Sequence, residues 1–214
     1  MVIINALNLI DGVDGLASGL SILYFLFFGI WFLLAGITYY SVICFAVIGS
    51  LTVFFLYNVF GSSKRKIFMG DSGSLMLGYI ISATVIIFLE KNKTPTDSIL
   101  YFPNAPVTVL TVIFIPIFDV FRVSITRLKN KKSILAADKN HIHHLLLRLG
   151  MSHKQVTFLL LAITLVYFFI AIVLKDYSLW VQLFIILLIG CMIIFIIWKF
   201  INIKNQKQNN ETLN

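Results

Sequence analysis

The residues best suited to chemistry begin with a short motif near the start of the sequence, Asn8-Leu-Ile-Asp11-Gly-Val-Asp14. Asp11 and Asp14 are three residues apart, so they share one face of a helix or flank a turn opened by Gly12. Carboxylate and amide oxygens close together could hold a hard cation beside phosphate. For Asp14 alone, capping of a following helix is an equal alternative, because Asp is a common N-cap. Capping by Asp14 does not account for Asn8 and Asp11 in the same motif.

A second acidic motif, Phe68-Met-Gly-Asp71-Ser-Gly-Ser74, places one acid among small residues. Small residues let the backbone approach a ligand closely. Helix capping by Asp71 or Ser72 is the simpler alternative. The Gly-Asp-Ser-Gly string also occurs in trypsin-like serine proteases, but those are soluble β-barrels. This sequence has no strand pattern, so that class of enzyme is excluded.

A third group consists of Asp119 and Arg122, with Arg127 further along the same segment. The i,i+3 spacing of the first two favours an ion pair within one helix. Such a pair is a structural contact and does not by itself predict chemistry.

A histidine cluster follows, in the sequence Asp138-Lys-Asn-His141-Ile-His143-His144. Imidazole is a zinc ligand, but no cysteine lies nearby and Asp138 is the only close carboxylate. Three histidines in four residues of a basic loop suit phosphate better, because imidazole is a small directional donor whose charge is tunable near neutral pH. A cluster that is merely solvated is the third interpretation.

The composition indicates that these motifs sit in a membrane protein. The chain of 214 residues is 59% apolar and only 12% charged, which excludes both a soluble globular protein and a disordered one. Cys44 and Cys191 lie inside apolar runs, so a disulfide framework is excluded. Stretches without charge predict six membrane spans: 15–63 (two spans divided near 39–41), 72–89, 98–118, 155–174 and 177–198. The predicted fold is an all-α polytopic helix bundle, with a membrane domain at 1–201 and a disordered cytoplasmic tail at 202–214.

The charges predict the orientation of this bundle. With six spans, 14 of the 17 basic residues fall on the side that holds both termini, so this side is expected to be cytoplasmic. Five of the nine acids lie there too, at or near span ends: Asp11, Asp14, Asp71, Asp119 and Asp138. Acids near a bilayer are costly, so their clustering with basic loops indicates a site for a polyanion and a divalent cation. A nucleic-acid partner is not expected.

Together the motifs resemble one family, the polyprenyl-phosphate N-acetylhexosamine-1-phosphate transferases of glycosyltransferase family 4. The four motifs occur in the family's order and spacing over roughly residues 1–150. The resemblance implies an enzyme that moves a sugar-1-phosphate from a UDP-sugar to a polyprenyl phosphate and releases UMP. It also implies Mg²⁺, with Mn²⁺ as an alternative ion, and an active site facing the cytoplasm of a bacterial inner membrane.

The resemblance also assigns expected roles to individual residues. Asp71, with Asn8, corresponds to the metal site, and Asp11 and Asp14 complete the nucleotide- and metal-proximal motif, so the expected catalytic residues are Asp71, Asp11 and Asp14. Phe68 corresponds to an aromatic residue that stacks on uracil. The basic residues expected to bind substrate phosphates are His141, His143, His144, Arg122 and Arg127.

Within the family, the His-x-His-His form with Asp138 before it is similar to the N-acetylglucosamine branch. The expected substrates are therefore UDP-N-acetylglucosamine and undecaprenyl phosphate, at the first membrane step of a cell-surface polysaccharide pathway. Translocase I, which acts on UDP-N-acetylmuramoyl-pentapeptide, is the alternative enzyme. A non-catalytic transporter or scaffold is the alternative from another class. A homodimer is compatible with the resemblance.

Two departures from the family pattern carry further expectations. Residues 58–68 are longer than the short Pro-Ala form common in the family and carry extra positive charge. Family members also have earlier spans and a paired-aspartate motif, and this sequence contains no Asp-Asp. The chain is therefore expected to be a C-terminal portion that is inactive alone. Its small-residue run at 15–19 is expected to contact the missing helices.

Overall fold

The fold is described by a computed structural model for residues 1–62, 64–93, 100–131 and 140–212, with side chains described as far as residue 206. Within these ranges the regular secondary-structure elements are all α-helices, and there is no β-strand. In chain order they are α1 (Val2–Ile10), α2 (Leu16–Leu34), α3 (Thr38–Phe60), α4 (Gly70–Lys91), α5 (Ala105–Val112), α6 (Phe114–Lys129), α7 (Ile142–Arg148), α8 (His153–Val173) and α9 (Leu179–Thr212).

Five of these helices are long and apolar enough to cross a membrane, namely α2, α3, α4, α8 and α9 over Leu179–Gln206. The pair α5 and α6 passes the same test together, which brings the number of spans to as many as six. The predicted all-α polytopic membrane bundle is thereby confirmed. The spanning part of α2 is 67% buried, against 22–39% for the other four, so α2 is the central helix.

The predicted span at 98–118 is wrong as one straight helix. The chain bends by 82° between α5 and α6, at Ile113. Pro116 lies four residues after Val112 and has no N–H, so the carbonyl of Val112 lacks its helical donor. The bend therefore falls where proline removes a rung of the hydrogen-bond ladder, and it turns α6 with its polar residues away from the direction of α5.

The first two spans are separated at Gly36, slightly before the predicted division at 39–41. Gly36 has a φ of +73°, which glycine adopts without strain. Its N–H donates to the carbonyl of Leu33 at 3.1 Å, and the N–H of Ile37 donates to that of Phe32 at 2.8 Å. This is the Schellman arrangement that ends many helices. The charge pattern could not locate it, because the whole region is uncharged.

The last helix corrects the prediction of a disordered tail from residue 202. Helix α9 continues as far as Thr212, and Lys204 within it donates to the carbonyl of Arg148 at 2.9 Å. Residues 202–212 contain no proline or glycine, so nothing in their covalent structure stops a helix that is already propagating. Polar composition alone did not distinguish this extension from disorder.

Close packing around α2 and α4 positions the polar motifs. A Cβ added at Gly78 of α4 would lie 2.6 Å from Cα of Ile4, so only glycine lets α1 lie directly against α4. Gly15 and Gly19 are in contact with side chains of α3 and α8, including Phe55 and Leu161. The small-residue run at 15–19, which was expected to meet missing helices, is thus occupied by neighbours from this chain.

Candidate functional site

The junction of α1 and α4 joins the first two acidic motifs. Nδ2 of Asn8 donates to Oδ1 of Asp71 at 3.2 Å and to Oγ of Ser74 at 3.0 Å. Asp71 lies in the first turn of α4 and no side chain caps that helix, so the capping alternative for Asp71 is wrong. Asn8 and Asp71 are separated by 63 positions in the sequence, and the α1–α4 contact brings them together.

Asp11 is the C-cap residue of α1 and interacts electrostatically with Asp71. Burial raises the pKa of Asp11 to about 6, and repulsion from the Asp71 carboxylate adds to the effect. Its position at a helix C-terminus also disfavours the anion, because the helix dipole is negative there. The junction therefore holds two carboxylates that repel each other, together with the amide of Asn8.

Asp14 is not a helix cap. Gly15 occupies the N-cap position of α2 and no side chain caps that helix. The Asp14 carboxylate lies instead 2.5 Å from Nζ of Lys66 and 3.3 Å from Nδ1 of His153. Thr157 of α8 donates to the backbone carbonyl of Asp14 at 2.6 Å. The Asp14 side chain therefore links the α1–α2 turn to the segment between α3 and α4 and to the start of α8.

Asn58, the first residue of the segment 58–68 that departs from the family pattern, is a structural residue of this site. Its amide oxygen accepts from the N–H of Gly15 at 2.5 Å, and its Nδ2 donates to the carbonyl of Ile67 at 2.6 Å. The side chain is 5% exposed. A buried asparagine at the end of an apolar helix was the available signal, since buried amides require partners. Asn58 thereby holds both acidic motifs in one arrangement.

Phe68 precedes α4 as an exposed aromatic ring. Its side chain is 75% exposed, and Nζ of Lys66 lies 5.5 Å from the ring centroid. An exposed ring beside a cation offers a face on which a flat base can stack. Because Lys66 also pairs with Asp14, the ring, the cation and the carboxylate form one connected group.

Asp119 organises the histidine segment. Its Oδ1 accepts from Arg122 at 2.6 Å, which confirms the predicted i,i+3 ion pair. Its Oδ2 lies 2.9 Å from Nδ1 of His141, and Oδ1 also accepts from the N–H of Ile142 at 3.0 Å. Arg122 donates in addition to the carbonyl of Asn140. The carboxylate thus orders the start of α7, a role that i,i+3 spacing alone does not reveal.

His143 is the member of the histidine cluster that reaches the acidic turn. A Cβ added at Gly12 would lie 3.4 Å from Nε2 of His143, so the ring packs against the turn that holds Asp11. Burial lowers the pKa of His143 to about 3, with repulsion from His144 as the next cause. The imidazole is therefore neutral at pH 7. Its Nδ1 is buried and meets no hydrogen-bond partner in the described ranges.

The remaining predicted residues lie around this centre. The rings of His141 and His143 are parallel at 5.8 Å, and the ring of His144 is 4.3 Å from that of His143. Arg127 is buried in α6. Asp138 lies outside the described residues. Among the residues that are described, no three His, Cys, Asp or Glu side chains are grouped to hold a metal, which gives the zinc interpretation no support.

Comparison with known proteins is consistent with these motifs. Residues 1–89 match the sequence profile described as glycosyl transferase family 4. The chain is 40% identical over 187 residues to a probable undecaprenyl-phosphate N-acetylglucosaminyl 1-phosphate transferase of Bacillus subtilis, covering 87% of this chain and 49% of that protein. It is 36% identical over 153 residues to the undecaprenyl-phosphate alpha-N-acetylglucosaminyl 1-phosphate transferase of Escherichia coli K12, covering 71% and 40% respectively. The chain thus spans half or less of the length of these relatives.

Proposed function

Because this chain belongs to glycosyl transferase family 4, we propose that it forms part of an enzyme that transfers N-acetylglucosamine-1-phosphate from UDP-N-acetylglucosamine to undecaprenyl phosphate and releases UMP. The observation that carries the proposal is the meeting of Asn8, Asp11 and Asp71 at one helix junction, with the unpartnered imidazole of His143 against the same turn. This combination suits a diphosphate with its cation.

The donor set at this junction fits magnesium. Asp71, Asp11 and the amide of Asn8 are oxygen donors, which Mg²⁺ prefers, and it commonly uses one or two carboxylates together with substrate phosphates. A divalent cation held by Asp71 and Asp11 would relieve the repulsion that helps raise the pKa of Asp11. When bound, the ion neutralises charge on the diphosphate and on the departing UMP.

The protein residues then bind and orient the reactants. The exposed ring of Phe68 stacks on uracil, and Lys66 beside it adds positive charge. His143 donates a hydrogen bond from its neutral ring to a diphosphate oxygen. It acts as a directional donor rather than as a countercharge, because its pKa is held far below neutrality. Asp14 keeps Lys66 in place through their ion pair.

The reaction needs one displacement at phosphorus. An oxygen of the acceptor phosphate attacks the β-phosphorus of the UDP-sugar and forms the new P–O bond. The bond between that phosphorus and the bridging oxygen breaks, and UMP leaves with the bridging oxygen. A phosphate monoester is largely ionised at pH 7, since its second pKa is about 6, so a general base contributes little. Positioning and charge stabilisation provide most of the rate enhancement.

The test measures UMP release by the complete gene product. The protein is assayed in membranes supplied with UDP-N-acetylglucosamine, undecaprenyl phosphate and Mg²⁺. We expect UMP release, and a loss of about a hundredfold or more in Asp71→Asn, because charge stabilisation by the ion is worth several kcal/mol. Glu90→Gln, an equivalent change at an exposed site beside Lys91, is the control and should keep full activity. UMP release only with UDP-N-acetylmuramoyl-pentapeptide would favour translocase I. Release with neither substrate would favour a transporter or scaffold.

The site is proposed to face the cytoplasm of a bacterial inner membrane. The division of basic residues supports this orientation, since cytoplasmic loops are enriched in Lys and Arg. In a background without Cys44 and Cys191, Lys129→Cys should be protected from an impermeant thiol reagent in intact cells, and Lys93→Cys should react. The opposite pattern would place the site on the outer face and contradict the proposal.

A further inference from the structure

The segment between α3 and α4 carries more positive charge than the acidic site uses. Lys64, Arg65 and Lys66 are consecutive, and Lys66 pairs with Asp14 at 2.5 Å. In the part of the chain that the structure describes, no carboxylate lies within ion-pair distance of Lys64 or Arg65. Both are exposed. These two charges are therefore available to a partner outside the acidic site.

Arg65 lines an open cavity at the C-terminal end of α3. The cavity has a volume of about 320 Å³, and its other lining residues are Leu56, Tyr57, Phe60, Gly61 and Ser62. The three large apolar side chains among them are each about half exposed, on the last turns of a membrane-spanning helix. The cavity thus has an apolar floor on the side of the span and a cation at its rim.

A second cation, from another helix, lies beside Phe60, one residue of this floor. Lys154, in the first turn of α8, has its Nζ 4.9 Å from the centroid of the Phe60 ring. No carboxylate pairs with Lys154 among the described residues. Arg65 and Lys154 therefore both lie near Phe60, the last residue of the membrane-spanning helix α3.

We propose that Arg65 and Lys154, with the end of α3, bind the headgroup of an anionic phospholipid of the phosphatidylglycerol type. Charge complementarity selects an anion, since Arg65 at the cavity rim and Lys154 beside Phe60 have no carboxylate partner in the described structure. The half-exposed apolar floor selects a lipid rather than a free phosphate, because acyl chains cover Leu56 and Phe60 while the headgroup stays at the rim. The site is separate from the Asn8–Asp71 junction, and it would exist whether or not the protein is a transferase.

Native mass spectrometry of the purified protein measures this binding directly. The protein in detergent is titrated with dioleoyl phosphatidylglycerol and, separately, with dioleoyl phosphatidylcholine. We expect the anionic lipid to bind more tightly and Arg65→Gln/Lys154→Gln to weaken its binding by roughly 25-fold, at roughly fivefold for each charge near an anionic headgroup. Lys129→Gln/Lys199→Gln removes the same net charge from other exposed positions and should leave the affinity unchanged within about twofold.

The conservative pair Arg65→Lys/Lys154→Arg keeps both charges and should retain binding, which separates loss of charge from loss of folding. Equal weakening in the two glutamine pairs would show a general attraction to the basic face and would overturn the proposal. Equal affinity of the wild-type protein for the two lipids would overturn it as well. So would unchanged lipid binding together with a raised KM for UDP-sugar in Arg65→Gln/Lys154→Gln, because the cations would then belong to the substrate site.

Discussion

Replacing Asp11 with asparagine should stabilise the protein while impairing its activity. In the folded chain Asp11 is half-buried at the C-terminus of α1 and faces the charge of Asp71, and its pKa is raised from 3.8 to about 6. An acid whose pKa is raised on folding is destabilising when ionised. Asn removes that charge and keeps nearly the same shape, so the penalty disappears.

The magnitude follows from the pKa and the exposure. A displacement of about two pKa units corresponds to about 3 kcal/mol at 1.36 kcal/mol per unit. Asp11 is partly solvated, so screening by water reduces this to about 1–1.5 kcal/mol. For a chain of this size that free energy raises Tm by roughly 2–5 °C. Since the carboxylate also serves the proposed cation site, UMP release should fall in the same variant.

The pH dependence has a defined sign. Below about pH 3 Asp11 is protonated in both the folded and the unfolded chain, so the penalty is absent. Above that pH the unfolded chain loses the proton first, and the penalty grows until the pH passes about 6. The gain in Tm from Asp11→Asn should therefore be full at pH 7.5, about half as large at pH 5, and about a fifth as large at pH 4.

The assay is thermal unfolding in detergent, without divalent cations, across these pH values. Asp14→Asn is the matched control. Because Asp14 contacts Lys66 and His153, neutralising it should lower the stability of the protein rather than raise it. Its expected loss is about 0.5–1 kcal/mol for a partly exposed ion pair. A lower Tm of Asp11→Asn at pH 7.5, or a gain that does not change with pH, would refute the reasoning. Added Mg²⁺ should raise the Tm of the wild-type protein more than that of Asp11→Asn.

Three other predictions test the surrounding structure. Asn58→Leu leaves the N–H of Gly15 and the carbonyl of Ile67 without their partner, and it should lower the free energy of unfolding by about 2–4 kcal/mol. The control Asn5→Leu, at an exposed position, should change that free energy by almost nothing. Equal effects of the two substitutions would contradict the bridging role of Asn58. Gly78→Val should separate α1 from α4 because its Cβ meets Ile4, and a cross-link between cysteines placed on the two helices should then fail to form. His143→Gln should retain more transferase activity than His143→Ala, and wild-type activity should show no inflection from this group between pH 5 and 8; a loss of activity below pH 6.5 that His143→Gln abolishes would show a titrating imidazole.

The sequence by itself determined the class of fold and the set of polar residues. Long uncharged stretches form helices in a bilayer, because a helix hydrogen-bonds its backbone groups within the segment. The helices α4 (Gly70–Lys91) and α8 (His153–Val173) accordingly match the predicted spans 72–89 and 155–174 to within two residues at each end. The acidic motifs were recognisable because polar residues beside apolar helices are costly and few.

Only the tertiary structure decided how these residues meet. Whether Asp14 caps a helix or pairs with Lys66 depends on the approach of a segment 52 positions away, and residue spacing contains no information on that distance. The same holds for Asp119, whose contact with Ile142 depends on the path of the chain after α6, and for Asn58, which bridges two segments. The bend at Ile113 has a local cause in Pro116, but its angle of 82° is set by the packing of both helices. Hydrophobicity selects the segments that are buried, whereas directional hydrogen bonds and close glycine contacts select one arrangement of them.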